Sequence, residues 1–109
     1  MAEPTLQQVF GANATQDANT ITISKADLTP VGLTSSATNR AEQLFVAILL
    51  KAESYLNPTN QASDSDIQVT IDDGFVSIVN RNSQNYRQST YTIALQKLDT
   101  SSNIDPDDY

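Results

Sequence analysis

The segment that decides the fold covers residues 36–56 and reads SATNRAEQLFVAILLKAESYL. Its apolar residues recur at the i, i+3, i+4, i+7 spacing of an amphipathic helix. The residues on this stripe are Ala41, Leu44, Phe45, Ile48, Ala52, Tyr55 and Leu56. The spacing therefore predicts one long helix with a buried face centred near Phe45, Ile48 and Ala52.

Both ends of this helix carry recognisable signals. Asn39 followed by Glu42 has the spacing of a capping box, and Ser36 is a rival N-cap one turn earlier. Pro58 disfavours the helical conformation of the residue before it, so Asn57 and Pro58 predict the end of the helix. A polar loop is expected to follow.

Strand candidates lie on both sides of the helix. Residues 20–24 alternate between apolar and polar, and so do residues 67–71 and 86–97, with residues 75–80 as a weaker candidate. Asp73-Gly74 is a hairpin-type turn signal between two of them. The order predicts the α+β class, with the long helix packed on a small antiparallel sheet made of a three-strand C-terminal meander plus the N-terminal strand.

Two shorter segments precede the helix. Residues 5–10 have apolar residues at helical spacing, and Gly11 is a plausible stop, so a helical turn is predicted there. Residues 28–33 contain Pro30 and Gly32, which disfavour a regular element and indicate that the chain turns.

Length and charge bound the organisation of the chain. The 109 residues carry 13 acidic and 6 basic side chains, a formal charge of −7. We predict a single domain at residues 1–98 and an acidic tail at residues 99–109. The charge disfavours nucleic acid as a partner. No run approaches the ~20 apolar residues of a membrane span, and no secretory signal precedes the domain, so a cytoplasmic location is expected.

The composition also narrows the chemistry. Without Cys or His, the chain cannot form a disulfide, a thiolate zinc site or a Ser-His-Asp triad. Carboxylate pairs remain, at Asp72-Asp73 and at Asp64 and Asp66. Acid/base catalysis would require a concave pocket that raises their pKa values, and the EF-hand spacing of a calcium loop is absent. We interpret them as turn and strand-end residues, and predict no enzyme, catalytic residue, metal or cofactor.

A thin basic patch brackets the polar turn at residues 80–85. Arg81, Tyr86 and Arg87 combine arginine with an aromatic ring, a combination that can stack on single-stranded nucleic acid. On an acidic chain we interpret the patch as a solvated hairpin tip.

The long helix carries more apolar surface than one sheet can cover. Val46 and Leu50 lie roughly 100° and 140° from Phe45, outside the main stripe. Either the N-terminal segment or the loop around Val31 and Leu33 covers them, or they contact a second copy of the chain. We predict Val46 and Leu50 as an oligomer interface.

The C-terminal tail is the second candidate for contact with a partner. It combines acidic residues with an isoleucine and a terminal aromatic, the features of tails that dock into basic-rimmed apolar pockets. The residues concerned are Ile104, Asp105, Asp107, Asp108 and Tyr109. A purely solubilising tail is the alternative.

Four stretches resemble a set of small acidic cyanobacterial proteins. They read TLQQVFG at residues 5–11, ITISKADL at 21–28, AEQL at 41–44 and DGF at 73–75. That set has no assigned activity, so the resemblance implies a bacterial protein and transfers no catalytic residue.

Together these features predict a non-enzymatic, self-associating structural or assembly component, of the kind found in phage-derived or other multi-subunit particles. The alternative is an interaction module that docks through its acidic tail, which ends in tyrosine.

Overall fold

The computed structural model describes residues 2–97 and 104–109. The described elements in chain order are helix α1 (Leu6–Phe10), strands β1 (Thr15–Gln16) and β2 (Ile21–Thr22), a first 3₁₀ helix (Lys25–Val31), helices α2 (Ala41–Glu53) and α3 (Pro58–Ser63), strands β3 (Val69–Arg81) and β4 (Gln84–Leu95), and a second 3₁₀ helix (Pro106–Asp108). The predicted α+β class is confirmed. The predicted sheet is not, because the strands form two separate antiparallel pairs, β1 with β2 and β3 with β4.

Helix α1 forms as the spacing of residues 5–10 predicts. Thr5 is its N-cap, and its hydroxyl accepts a hydrogen bond from the Gln8 N–H at 3.1 Å, while Gln8 Oε1 accepts one from the Thr5 N–H at 2.9 Å. This reciprocal pair satisfies two N–H groups at the helix start. Gly11 ends the helix with φ 117°, a conformation that glycine adopts without steric cost.

Helix α2 is shorter than predicted at its N-terminus. The expected Asn39–Glu42 capping box does not form, because Asn39 instead accepts a hydrogen bond from the Ser36 N–H at 3.0 Å and so closes a turn before the helix. Arg40 is the N-cap, and its N–H donates to Gln43 Oε1 at 3.2 Å. The helix therefore begins at Ala41.

Asn57 and Pro58 begin a helix instead of ending one. Helix α2 already ends at Glu53. The Asn57 side chain accepts a hydrogen bond from the Asn60 N–H at 2.8 Å, and Pro58 occupies the first turn of α3. Proline is favoured there because the N–H groups of the first turn have no acceptor within the helix, so the N–H that proline lacks is not missed in the hydrogen bonding. The polar loop expected after the long helix is thus largely replaced by α3.

The Asp73-Gly74 step is a bulge within one strand, and the three-strand meander was a wrong prediction. Strand β3 continues through the step and pairs with β4, with a register shift between Asp73 and Val76. A Cβ on Gly74 would collide with the carbonyl oxygen of Thr90 on β4. Glycine is needed here for the close approach of two backbones, since one extra residue of β3 is accommodated opposite Thr90.

The chain reverses only at the far end of this long hairpin. Asn82 and Ser83 have φ 54° and 63°, so the turn consists of two residues with positive φ. Asn80 and Asn85 are paired across the strands, with Asn80 Nδ2 3.1 Å from Asn85 Oδ1. The polar turn predicted over residues 80–85 is therefore much tighter than expected.

The N-terminal strand does not join the main sheet. Ile21 and Thr22 pair with Gln16 and Thr15 in a small hairpin. Asp17 closes its turn, because its carboxylate accepts hydrogen bonds from two backbone N–H groups, and these bonds hold the pKa of Asp17 below its ordinary value. Strand β2 therefore has β1 as its pairing partner and does not need the C-terminal hairpin.

The first 3₁₀ helix occupies a segment for which no regular element was expected. Pro30 lies near its end, where the fixed φ of proline suits a helical turn. Gly32 then ends it in the left-handed conformation at φ 108°. The two residues that predicted irregular chain therefore mark the end of a helix.

Helix α2 lies between two small clusters of buried residues. The first contains Val9, Ala52 and Ile71, packed with Phe10, Leu49, Tyr55, Leu56 and Tyr91. The second contains Leu28, Leu33 and Ala47, packed with Ile23, Val31, Leu44 and Ile48. The sheet thus covers only the C-terminal part of α2, and the first 3₁₀ helix covers a different side.

Phe45 is the clearest error in the predicted core, because its side chain is 68% exposed. It lies on the same helix face as Leu49 and Ala52 but one turn closer to the N-terminus. The hairpin contacts the C-terminal part of the helix, where Ile71 packs with Ala52 and Asp73 hydrogen-bonds with Glu53. The periodicity therefore gives the direction of Phe45 correctly, but the covering element does not extend that far.

Candidate functional site

The outer part of the β3–β4 hairpin, residues 75–90, extends beyond the core and is called the arm. Strand β3 is buried at Thr70 and Ile71, and no residue of the strand after Ile71 is buried. Large apolar side chains are exposed instead: Phe75 at 67%, Val76 at 55% and Ile78 at 60%. A two-stranded hairpin is at best marginally stable alone in water, and clustered exposed apolar residues mark interaction surfaces.

Apolar residues lie on both faces of the arm. The pairing register places Val76 opposite Ser89 and Ile78 opposite Arg87, on the face that also carries Tyr91. Val79 and Tyr86 form a cross-strand pair on the other face. The half-buried or exposed state of these side chains shows that neither face of the arm is fully covered.

The arm differs in charge from the remainder of the chain. It contains Arg81 and Arg87 and no acidic residue, whereas the other residues include all 13 acidic side chains. The Arg81 guanidinium carbon lies 4.3 Å from the centroid of the Tyr86 ring, a cation–π contact. The structure thus brings Arg81 and Tyr86 together at the tip, while Arg87 lies opposite Ile78.

An acidic cluster lies at the base of the hairpin, residues 69–74 and 91–95, where the hairpin meets the end of α2. Burial raises the pKa of Glu53 to about 7, assisted by a hydrogen bond with the Asp73 carboxyl and by the charges of Asp73 and Asp72. Tyr91 is opposite Asp73 in the sheet, and burial, with the charges of Asp73 and Glu53, raises its pKa. Like charges this close favour a shared proton.

Glu53 was not predicted as part of a site. The sequence led to the interpretation of Asp72-Asp73 as an exposed turn, because the local Asp-Gly signal of the bulge is also that of a hairpin turn. Glu53 ends α2 and belongs to a different element, so no local spacing links it to Asp73. The contact depends on the way the hairpin base packs on the helix.

Asp64 and Asp66 have separate structural roles. Asp64 Oδ1 accepts a hydrogen bond from the Asp66 N–H at 3.0 Å, which shapes the chain before β3. Asp66 lines a shallow groove of about 470 Å³ together with Gln61, Gln68 and Lys97. Within residues 2–97 and 104–109, no group of three acidic side chains is arranged to hold a metal ion.

Val46 and Leu50, predicted as an oligomer interface, line a shallow groove of about 400 Å³ between α2 and the end of the first 3₁₀ helix. Leu33 is buried against Ala47, so the loop expected to cover this side of the helix covers part of it. Val46 remains 51% exposed, and Leu50 is half-buried. The groove is therefore an open surface of mixed character, in which Arg40, Glu42 and Gln43 lie beside the apolar residues.

The described part of the tail contacts the base of the hairpin. Lys97 Nζ lies 2.7 Å from an Asp108 carboxylate oxygen, and Gln68 Nε2 donates a hydrogen bond to the Asp108 carbonyl oxygen at 2.9 Å. Of the tail residues predicted to bind a partner, Ile104, Asp105, Asp107 and Asp108 are exposed, whereas Tyr109 is half-buried. Asp99 lies outside the described residues.

Comparison with known proteins adds no assignment. No helix among the described residues is both long and apolar enough to span a membrane. No family model, curated protein or solved structure matches the chain. The candidate site is therefore defined by the arm, the acidic cluster and the groove at Val46 and Leu50.

Proposed function

We propose that the chain is a non-enzymatic structural or assembly component that associates with copies of itself through the arm. The observation that carries this proposal is the exposure of Phe75, Val76 and Ile78 on a two-stranded hairpin. Burial of one such side chain contributes about 1.5–3 kcal/mol. A protomer that exposes several of them on a projecting element gains most by covering them with another molecule.

The absence of Cys and His from the sequence supports a non-enzymatic role. Histidine is the most frequent general acid or base near neutral pH, and cysteine is intrinsically the strongest of the common nucleophiles. A self-associating component instead needs an exposed apolar surface that another copy can bury, and the arm has such a surface.

The proposal is tested by measuring the mass of the full chain in solution as its concentration rises. Sedimentation equilibrium should give an average mass that increases from 11.8 kDa toward a defined multiple of it. An unchanging mass of 11.8 kDa up to millimolar concentration would reject self-association.

A matched pair of variants then tests whether the arm is responsible. Ile78→Asp should weaken association by about tenfold or more, because a charge replaces apolar contact surface. Ile21→Asp is the control, since Ile21 is 54% exposed against 60% for Ile78 but lies on the β1–β2 hairpin. Equal effects of both variants, with circular dichroism showing both folded, would remove the arm from the interface.

The groove containing Val46 and Leu50 is a second proposed contact surface. Val46→Asp is the cleaner test because Val46 is 51% exposed, and it should leave the protomer folded. Leu50→Asp should weaken association as well. Unfolding of the Leu50 variant would instead assign Leu50 to the core.

Docking through the acidic tail is the alternative function. The exposed Ile104, at 71%, supports it. However, Asp108 already contacts Lys97 and Gln68, so docking of the whole tail would require these contacts to break. Deletion after Leu98 should abolish partner capture if the tail is the docking element, and should leave self-association unchanged if the arm is.

A further inference from the structure

The outer edge of β4 is the part of the arm best suited to bind another strand. Among the described residues, no backbone hydrogen bond engages this edge. Strand β4 runs from Gln84 to Leu95 without proline, bulge or acidic residue. Long, regular, unprotected edges of this kind pair with other strands.

The outer edge of β3 is unsuitable for the same purpose. Its Ile71 N–H already donates to the Leu56 carbonyl oxygen at 2.9 Å. The bulge at Gly74 and Phe75 interrupts the regular repeat of its backbone groups, a feature that blocks strand addition. Strand addition is therefore directed to β4.

The hydrogen bonds at the hairpin base show which β4 residues point outward. Ile71 donates away from β4, so Ile71 and Ile93 form a pair without mutual backbone hydrogen bonds. The neighbouring Gln96 N–H donates to Gln68 O at 2.7 Å, as alternation requires. Because β4 has no bulge, the odd-numbered residues from Asn85 to Leu95 direct their backbone N–H and C=O groups outward.

Two registers would keep nearly all of β4 paired with β4 of a second copy in an antiparallel, two-fold arrangement. They place either Ser89 or Thr90 on the axis, because outward-pointing residues must face each other. With Ser89 on the axis, Arg87 faces Tyr91 of the other copy. With Thr90 on the axis, Arg87 faces Ile93 instead.

Charge selects the first register. Arg87 and Tyr91 lie on the same sheet face, and Tyr91 is directly opposite Asp73 in its own protomer. An arginine one strand beyond Tyr91 would be about 10 Å from Asp73 between Cα atoms, within reach of its long side chain. The acidic cluster of Glu53, Asp72 and Asp73 would then gain a cation.

Resting on the proposed self-association, we infer that β4 pairs antiparallel with β4 of a second copy, with Ser89 on the two-fold axis and Arg87 of each copy beside Tyr91 and Asp73 of the other. The product is a continuous four-stranded sheet, β3-β4-β4-β3. The basic arm of each copy lies against the acidic base of the other, and an isologous contact of this kind closes at two copies.

Charge reversal tests the electrostatic part of this inference. Arg87→Glu should raise the dissociation constant by about tenfold or more, because it places a carboxylate beside the acidic cluster. Arg81→Glu is the matched control, since Arg81 lies on β3, which the inferred pairing leaves outside the new strand contact. It should change the constant by less than about threefold.

A charge swap separates a specific contact from a general effect. Arg87→Asp combined with Asp73→Arg should restore association to within about threefold of the natural chain, because each arginine again faces a carboxylate. Failure of the combination to recover, with both single variants weak, would place Arg87 elsewhere.

A single cysteine tests the register, and the natural chain contains none. Ser89→Cys should form a disulfide-linked dimer under mild oxidation, because residues on the axis of such a pair have Cα atoms about 5.5 Å apart. Thr90→Cys should not, because with Ser89 on the axis its counterpart is about 8 Å away. Crosslinking of Thr90→Cys with no crosslinking of Ser89→Cys would overturn the register in favour of the one with Thr90 on the axis.

The outcomes distinguish this inference from the function on which it rests. A chain that stays monomeric at every concentration contradicts both. A chain that associates, but for which Arg87→Glu and Arg81→Glu behave alike and Ser89→Cys does not crosslink, keeps the proposed function and rejects the β4 pairing.

Discussion

Ile71 and Ile78 are the same residue type on the same strand, yet they have opposite surroundings. Ile71 is 5% exposed and packs with Val9 and Ala52, whereas Ile78 is 60% exposed on the arm. Both pair with β4 and both lie on the sheet face that meets the helix. Strand conformation is therefore set by cross-strand pairing, while burial is set by the element that lies above the sheet.

The difference identifies where the protomer is complete. At the base of the hairpin the helix covers Ile71 of β3, whereas Ile93 and Leu95 of β4 remain 53% and 43% exposed. The arm has the same alternating pattern without a cover. The exposed apolar residues of the arm do not stabilise the isolated protomer. Their presence is explained if a second molecule covers the arm as the helix covers Ile71.

The largest expected effect comes from truncating the two isoleucines. Ile71→Ala should lower the free energy of unfolding by about 2–4 kcal/mol, since it removes buried contacts and leaves a cavity. Ile78→Ala should lower it by less than about 0.5 kcal/mol, because the side chain is mostly solvated. Urea denaturation, at protein concentrations too low for association, measures both changes. Equal losses of unfolding free energy in the two variants would contradict the division into base and arm.

The elements that the sequence predicts well are those defined by local spacing. Helix α1 follows from Leu6, Val9 and Phe10, and most of α2 follows from its apolar stripe. Phe45 shows the limit of this reasoning. Periodicity gives the direction of a side chain, but whether another element covers it depends on how far that element extends. The hairpin packs on the C-terminal part of the helix, around Ala52, and leaves Phe45 68% exposed.

Gly74 and Glu53 show why the bulge and the acidic cluster could not be predicted from the sequence. Asp-Gly is the same local signal in a hairpin turn and in a bulge, and the two differ only in whether β4 continues to pair across it. The contact of Glu53 with Asp73 requires that choice to be made correctly, because the bulge keeps Asp73 within β3. Because a turn was predicted at Asp73-Gly74 in place of a bulge, neither the arm nor the acidic cluster could be predicted.

Gly74 provides a sharper test of the boundary between base and arm. Gly74→Val should lower the free energy of unfolding by about 1–2 kcal/mol, because its side chain would collide with the Thr90 carbonyl and disrupt the bulge. Ser77→Val, three residues further along the same strand, should change it by less than about 0.5 kcal/mol. Hydrogen exchange should show faster exchange of arm amides in the Gly74 variant alone; unchanged protection would mean that the bulge does not hold the arm.

The smallest expected effect is the pH dependence caused by Glu53. Its pKa is raised to about 7 in the folded chain, so the folded state binds a proton more tightly than the unfolded state. Stability from this group is therefore fully present below the unfolded pKa of about 4.5 and is lost as pH rises through 7. Solvent screening of this partly exposed pair reduces the change to about 1 kcal/mol, and Glu53→Gln should remove most of it. Chemical denaturation at pH 5 and pH 8 measures the difference, which must be smaller in the variant.

The same proton links the base of one copy to the arm of another. Glu53 faces Asp72 and Asp73 from β3 and Tyr91 from β4, and none of these supplies a positive charge. Arg87 of a second copy would favour the charged carboxylates and lower the pKa of Glu53, so that association releases protons. Dimerisation should then tighten between pH 6 and pH 8 in the natural chain and change less in Glu53→Gln. A dissociation constant independent of pH in the natural chain would show that Arg87 does not reach the cluster.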